Sequence, residues 1–161
     1  MRPITPQVSA FLFGSGLAAL LYQTAWERML RLVFGASTGA SSAVLAIFLG
    51  GLGLGGAWLG RRAEAADRPL LLYGNLEVGV ALGAAATPFS VDLVARIYWS
   101  LGGSSALGAA GATVVRVLLA ALVLGPSVVL MGGTLPAAAR AVEGEADLSR
   151  GRLATLYAAN T

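Results

Sequence analysis

The sequence predicts an all-α integral membrane protein, a bundle of four transmembrane helices with short interfacial helices. Its composition is far more apolar than that of a soluble protein. Hydrophobic residues make up 57% of the chain and charged residues 12%, whereas charged residues are about 25% of a typical soluble domain. Residues 35–60 contain no charged residue and are followed by Arg61 and Arg62. An uncharged run of that length, ended by arginines, is typical of a transmembrane helix.

Four apolar segments are each long enough to cross a bilayer, which requires about 20 residues. The predicted spans are residues 8–26, 40–60, 70–89 and 107–131. Residues 132–161 are predicted to form a cytoplasmic tail or the start of a further helix, with Arg140 and its neighbours alternatively extending the fourth span. The whole chain therefore forms a single transmembrane domain.

Two charged segments follow the first and third spans. Residues 27–34 and residues 90–99 mix charged and apolar side chains. Such amphipathic segments are typical of helices that lie along the bilayer surface. We therefore predict two short interfacial helices at these positions.

The distribution of arginine predicts the orientation in the membrane. Seven arginines lie in the N-terminal tail, the second loop and the C-terminal tail, against three in the first and third loops. Because positively charged loops stay on the cytoplasmic side, both termini are predicted to be cytoplasmic. The arginines are scattered and have no interleaved aromatic residues, so the expected partner is the lipid bilayer and not a nucleic acid.

The residue types present exclude several kinds of chemistry. The chain has no cysteine and no histidine, which removes thiolate nucleophiles, imidazole bases and the usual zinc ligands. No nucleophile–base pair and no paired carboxylates appear in a soluble context. The sequence therefore predicts no catalytic residue, no metal site and no cofactor.

Glycines at helical spacing dominate the second span. Residues 51–56 match the spacing of a dinucleotide-binding loop, but that loop follows a strand, and here the motif lies inside a span. The pairs Gly51/Gly55 and Gly56/Gly60 instead have the small-xxx-small spacing that lets helix backbones approach closely in lipid. We predict that these four glycines pack against another helix.

Two ionisable residues, Glu77 and Arg116, lie at membrane depth. A charged side chain there costs about 2.5–3.5 kcal/mol on insertion scales, so each should face protein or water. Two interpretations are open. Either Glu77 and Arg116 form a pair that stabilises the bundle, or Glu77 lies in a polar cavity with Asn75, Gln23 and Tyr22 and receives a cation or a proton.

Two prolines bracket the end of the fourth span. Pro126 and Pro136 flank a segment that also contains Gly132 and Gly133. Prolines inside a helix bend it, and bent helices often line transport cavities. Alternatively, Pro126 marks the end of the span.

Five ordered motifs extend along nearly the whole chain. They are LLYQTAWER at residues 20–28, the glycine-rich residues 45–59, RP at 68–69 with YGNLE at 73–77, VLMGGTLP at 129–136 with AR at 139–140, and GR at 151–152 with LYAANT at 156–161. Together they resemble the N-terminal membrane domain of bacterial fused spermidine synthase-like proteins. In that family a transporter-like helical region precedes an aminopropyltransferase-like domain.

The resemblance implies a non-catalytic module of the bacterial inner membrane. Such a module would anchor a soluble enzyme domain or handle a small cationic, polyamine-like substrate whose ammonium group meets Glu77. These 161 residues contain no counterpart of the family's domain that binds decarboxylated S-adenosylmethionine, so no catalytic residue is carried over. In the family the LYAANT segment opens a further helix, and a native mass above 16.3 kDa would indicate a longer protein. The alternative is a small structural subunit whose glycine-rich residues 50–60 pack on other membrane subunits.

Overall fold

The computed structural model describes residues 5–35 and 38–142, and these form four helices without a strand. The helices are α1 (Thr5–Phe34), α2 (Thr38–Glu64), α3 (Pro69–Ser100) and α4 (Gly103–Val142). Each contains a segment long and apolar enough to cross a membrane. The all-α architecture of four such helices is therefore confirmed. The predicted motifs at residues 151–161 lie outside the described residues.

The two interfacial helices are not separate elements, and that part of the prediction is wrong. Residues 27–34 form the last part of α1, and residues 90–99 form the last part of α3. Neither segment contains a glycine or proline that would end the helix. Ion pairs at (i, i+4) spacing also stabilise continued helix: Arg31 contacts Glu27 at 2.6 Å, and Arg96 contacts Asp92 at 2.9 Å.

Helix α4 is the longest of the four helices and includes residues 132–142. Of the two predictions for this segment, the structure therefore agrees with the one in which Arg140 and its neighbours extend the fourth helix. Both Pro126 and Pro136 lie inside it. Near its start the backbone leaves the helical region at Gly108, where φ is 66° and ψ is 174°. That conformation is open mainly to glycine, so α4 is bent at this residue.

Helix α4 forms the centre of the bundle. It packs most extensively against α2 and next against α3, whereas α1 makes far fewer contacts with any of the other helices. Leu124, Val128, Ala137 and Ala138 of α4 are completely buried. Large apolar side chains on the outer surfaces of all four helices are exposed, which suits contact with lipid chains.

Candidate functional site

Glu77 lies in the third turn of α3, at the edge of the buried face that Tyr73, Leu76 and Val80 form. The glutamate is half-buried. The hydroxyl of Ser15 on α1 donates a hydrogen bond to Glu77 Oε1 at 2.6 Å. Among the described residues no arginine forms an ion pair with Glu77. The carboxylate therefore has two hydroxyl partners, Ser15 and Tyr73, and no charged partner in the part of the chain that the structure describes.

A groove between α1 and α3 contains this carboxylate. We call it the α1–α3 groove, and its volume is about 600 Å³. It is lined by Phe11, Gly14, Ser15 and Ala18 of α1 and by Leu70, Tyr73, Gly74 and Glu77 of α3. Among the described residues that line it, Glu77 is the only charged one, and most of the other side chains are apolar.

Two glycines keep the groove open. A Cβ atom built on Gly14 or on Gly74 would meet no atom within 4 Å. These residues therefore do not serve the close approach of two helices. Their missing side chains leave space beside Glu77.

Two further cavities lie along α1. One of about 50 Å³ is lined by Tyr22, Glu77 and Met131, among others. Another of about 440 Å³ lies between α1, α2 and α4. Ser15 lines both of these as well as the α1–α3 groove. The unfilled space around α1 agrees with its small number of contacts to the other helices.

The other residues predicted to surround Glu77 are placed differently. Tyr22 lines the small cavity next to Glu77, and its ring stacks on Trp26 at 5.6 Å between centroids. Asn75 is exposed; it precedes Glu77 by two positions, about 200° around the helix axis. Gln23 is half-buried, about 12 Å along α1 from Ser15. Ser15 and Tyr73 therefore take the positions beside the carboxylate that were expected for Asn75 and Gln23.

Arg116 lies far from Glu77, and the structure does not bring the two together. Arg116 donates from Nε and Nη2 to the hydroxyl of Tyr98 at 3.0 and 2.6 Å, and from Nη2 to Ser104 Oγ at 2.5 Å. Its guanidinium also lies 5.1 Å from the centroid of the Tyr98 ring. Tyr98 follows Glu77 by 21 positions in the same helix, which corresponds to about 30 Å. Arg116 of α4 therefore contacts residues on either side of the turn between α3 and α4, and not Glu77.

The glycines of the second span face α4. A Cβ on Gly55 would overlap the carbonyl oxygen of Val129, and a Cβ on Gly51 would lie 2.9 Å from Val128 Cγ1. A Cβ on Gly56 would lie 3.6 Å from the carbonyl oxygen of Gly132, which is ordinary contact. For Gly60 the nearest atoms, in Pro136, are at 3.7 Å. The face proposed for packing on other subunits is therefore largely occupied inside this chain.

No cluster of acidic side chains surrounds Glu77 in the part of the chain that the structure describes. Within residues 5–35 and 38–142, no three acidic side chains come close enough to hold a metal ion. No known protein family, curated protein or solved structure matches the chain. The described residues thus form four helices with the length and apolarity of membrane spans, and one carboxylate lies in a groove between two of them.

Sequence reasoning selected Glu77 as a candidate and did not select its neighbours in the groove, Ser15, Tyr73, Gly14 and Gly74. The (i, i+4) spacing of Tyr73 and Glu77 places them on one face of a helix, so Tyr73 carried a usable signal. Ser15 and Gly14 carried none, because their place beside Glu77 depends on how α1 packs against α3.

Proposed function

We propose that this protein is a non-catalytic, multi-pass membrane module that binds the ammonium group of a small organic cation at Glu77. The observation that carries the proposal is the carboxylate itself. It lies in a groove between two membrane-length helices, accepts a hydrogen bond from Ser15, and forms no ion pair with a described arginine.

The physical reason is charge compensation. A carboxylate removed from water is strongly destabilised unless a cation or several hydrogen bonds compensate for it. An ammonium group supplies a positive charge and N–H donors. Carboxylate oxygens accept such donors well, and charge-assisted hydrogen bonds are about twice as strong as neutral ones. The Ser15 hydroxyl, which orients one carboxylate oxygen, leaves acceptor positions for the ligand.

Several features of the proposal come from the sequence. The arginine distribution favours cytoplasmic termini, and the motif resemblance favours a bacterial inner membrane, a polyamine-like ligand and an attached soluble enzyme domain. In such an arrangement the module would hold the enzyme at the membrane and present or pass a cationic substrate beside Glu77.

Binding to the purified protein in lipid nanodiscs tests the proposal. Labelling of Glu77 by a hydrophobic carbodiimide, measured by mass spectrometry of its peptide, reports whether the carboxylate is accessible. Because a primary amine can capture the activated carboxyl as an amide with release of the urea, both the acylurea and the amide count as labelling, and protection is the survival of the unmodified peptide. Spermidine and simple alkylammonium ions should each protect Glu77 from labelling in a saturable manner. They should also raise the melting temperature of the wild-type protein and not that of Glu77→Gln.

Asp92→Asn is the matched control, because Asp92 is a carboxylate on the same helix whose exposed side chain pairs with Arg96. This variant should respond to the cations as the wild type does. If no amine protects Glu77, or if the Glu77→Gln protein binds amines as strongly as the wild type, the proposal is wrong.

A further inference from the structure

The α1–α3 groove is chemically uneven along its length. Glu77 and the hydroxyls of Ser15 and Tyr73 lie toward one end, whereas Phe11 and Leu70 line the other. Leu70 precedes Glu77 by seven positions, so the two ends lie about 10 Å apart along α3. A ligand that matches the groove would therefore have a positive charge at the end beside Glu77 and an apolar group at the end beside Leu70.

The apolar end is open to the surroundings of the bundle. Phe11 is 65% exposed and Leu70 is 44% exposed. Both belong to helices with the length and apolarity of membrane spans, so their exposed surfaces suit contact with lipid chains. A ligand with an aliphatic chain would therefore meet the same kind of surface in the groove as in the bilayer.

Gly14 and Gly74 also leave room in the groove for an aliphatic chain of a ligand. Both line it, and neither would bring a Cβ within 4 Å of another atom. In lipid, where apolar groups gain little from leaving their solvent, close packing provides much of the attraction between apolar surfaces. A chain lying over the two glycines gains such packing contacts on both sides.

The charges beyond the apolar end disfavour a second ammonium group. Arg68 immediately precedes α3, and Arg61 and Arg62 lie in the last turn of α2. Two acidic residues, Glu64 and Asp67, lie in the same region. This region is therefore net positive. A cation that extended past Leu70 would approach like charge, and one that ended beside Leu70 would leave an unpaired charge on an apolar surface.

We infer that the α1–α3 groove selects an amine with one ammonium group and an aliphatic tail over a polyamine. The ammonium binds at Glu77 and Ser15, and the tail lies over Gly14 and Gly74 toward Leu70. This inference rests on the proposed ammonium site at Glu77 and specifies the class of its ligand.

Three probes that differ in one feature at a time test the inference. Methylammonium has the charge without a tail, octylammonium has both, and the octane diamine has the same tail with an ammonium at each end. In the wild-type protein in nanodiscs, octylammonium should half-protect Glu77 from the carbodiimide at a concentration about tenfold lower than methylammonium. It should also protect at a concentration at least about threefold lower than the diamine.

A groove-filling variant separates binding in the groove from simple accumulation of octylammonium in the lipid. Gly74→Leu should reduce the preference for octylammonium over methylammonium by about threefold or more. Gly50→Leu is the control, because a Cβ on Gly50 also meets nothing within 4 Å but lies on α2, outside the groove. Gly50→Leu should keep the wild-type preference, and melting temperatures of both variants report that the fold is intact.

The outcomes distinguish the two proposals. If no amine protects Glu77, the ammonium site itself is wrong. If methylammonium protects but the diamine is as effective as octylammonium, the site stands and the single-charge inference fails. If Gly74→Leu and Gly50→Leu give the same preference, the tail does not lie in the groove and the inference also fails.

Discussion

The α2–α4 interface and the α1–α3 groove differ in what surrounds their glycines. At the α2–α4 interface, Gly55 lies directly against the backbone of α4, and a Cβ there would overlap the carbonyl oxygen of Val129. In the α1–α3 groove, a Cβ added to Gly14 or Gly74 would have no other atom within 4 Å. Glycine therefore permits close contact in one region and leaves open space in the other.

The same contrast separates the two charged groups at membrane depth. Arg116 of α4 donates three hydrogen bonds to Tyr98 and Ser104, near the end of α3 and the start of α4. Glu77 lies in the open region, where its partners are the hydroxyl groups of Ser15 and Tyr73. Arg116 is thus held by contacts within the bundle, whereas the carboxylate of Glu77 has no charged partner among the described residues, which is the basis of the proposed ammonium site. Substitutions in the two regions should therefore differ in effect, from a large loss of stability to a small gain.

Gly55→Ala should destabilise the protein most, by about 3 kcal/mol, because overpacking a close contact against rigid backbone forces the helices apart. The measurement is the free energy of unfolding from a denaturant titration in mixed micelles. Gly53→Ala is the matched control on the same helix, since a Cβ on Gly53 meets nothing within 4 Å. It should change the stability by no more than about 0.5 kcal/mol. Equal effects of the two substitutions would contradict the close α2–α4 contact.

Tyr98→Phe should destabilise the protein by about 2 kcal/mol, because hydrogen bonds to charged groups contribute about 1.5–3 kcal/mol. The substitution removes the hydroxyl that accepts two hydrogen bonds from Arg116 and retains the ring that packs in the core. The same unfolding titration measures the change. Tyr22→Phe, in a half-buried tyrosine that stacks on Trp26, should have a much smaller effect. A Tyr98→Phe protein of wild-type stability would show that Arg116 is not held by this contact.

Gly83→Ala should have an intermediate effect, a loss of about 1 kcal/mol. A Cβ on Gly83 would overlap the hydroxyl oxygen of Ser127 on α4. A side-chain oxygen can rotate away where a backbone carbonyl cannot, so the strain is smaller than at Gly55. The double variant Gly83→Ala with Ser127→Ala should regain part of the lost stability. If the second substitution adds to the loss, Ser127 is not the group that Gly83 accommodates.

The order of these effects could not be predicted from the sequence alone. The four described helices could be predicted because each is a continuous apolar segment of the sequence, and hydropathy along the chain detects such segments. The ends of α1 and α3 were missed because their charged residues indicate an interfacial segment by composition, although the pairs Glu27–Arg31 and Asp92–Arg96 continue the helix. Glycine spacing predicted contact for residues on one helix. It could not show that Gly14 and Gly74, on two different helices, lie across a groove from each other.

The candidate site was predictable to a similar degree. A glutamate inside an apolar span is conspicuous by its residue type, so Glu77 was identified. Its expected partners on the basis of polarity, Asn75 and Gln23, lie elsewhere because neither occupies the face of its helix that meets the groove. The sequence also could not show whether Arg116 contacts Glu77. The structure shows that Arg116 contacts Tyr98 near the end of α3, whereas Glu77 lies near the start of that helix.

Gly74→Ala should have the smallest effect on stability and the opposite sign. Alanine is favoured over glycine inside a helix by about 0.5–1 kcal/mol, and here its Cβ enters open space. We therefore expect a gain of a few tenths of a kcal/mol up to about 1 kcal/mol in the same unfolding titration. Gly14→Ala should behave in the same way on the other side of the groove. A loss of stability at both positions would mean that α1 and α3 approach each other as closely as α2 and α4 do, and the groove beside Glu77 would then not exist.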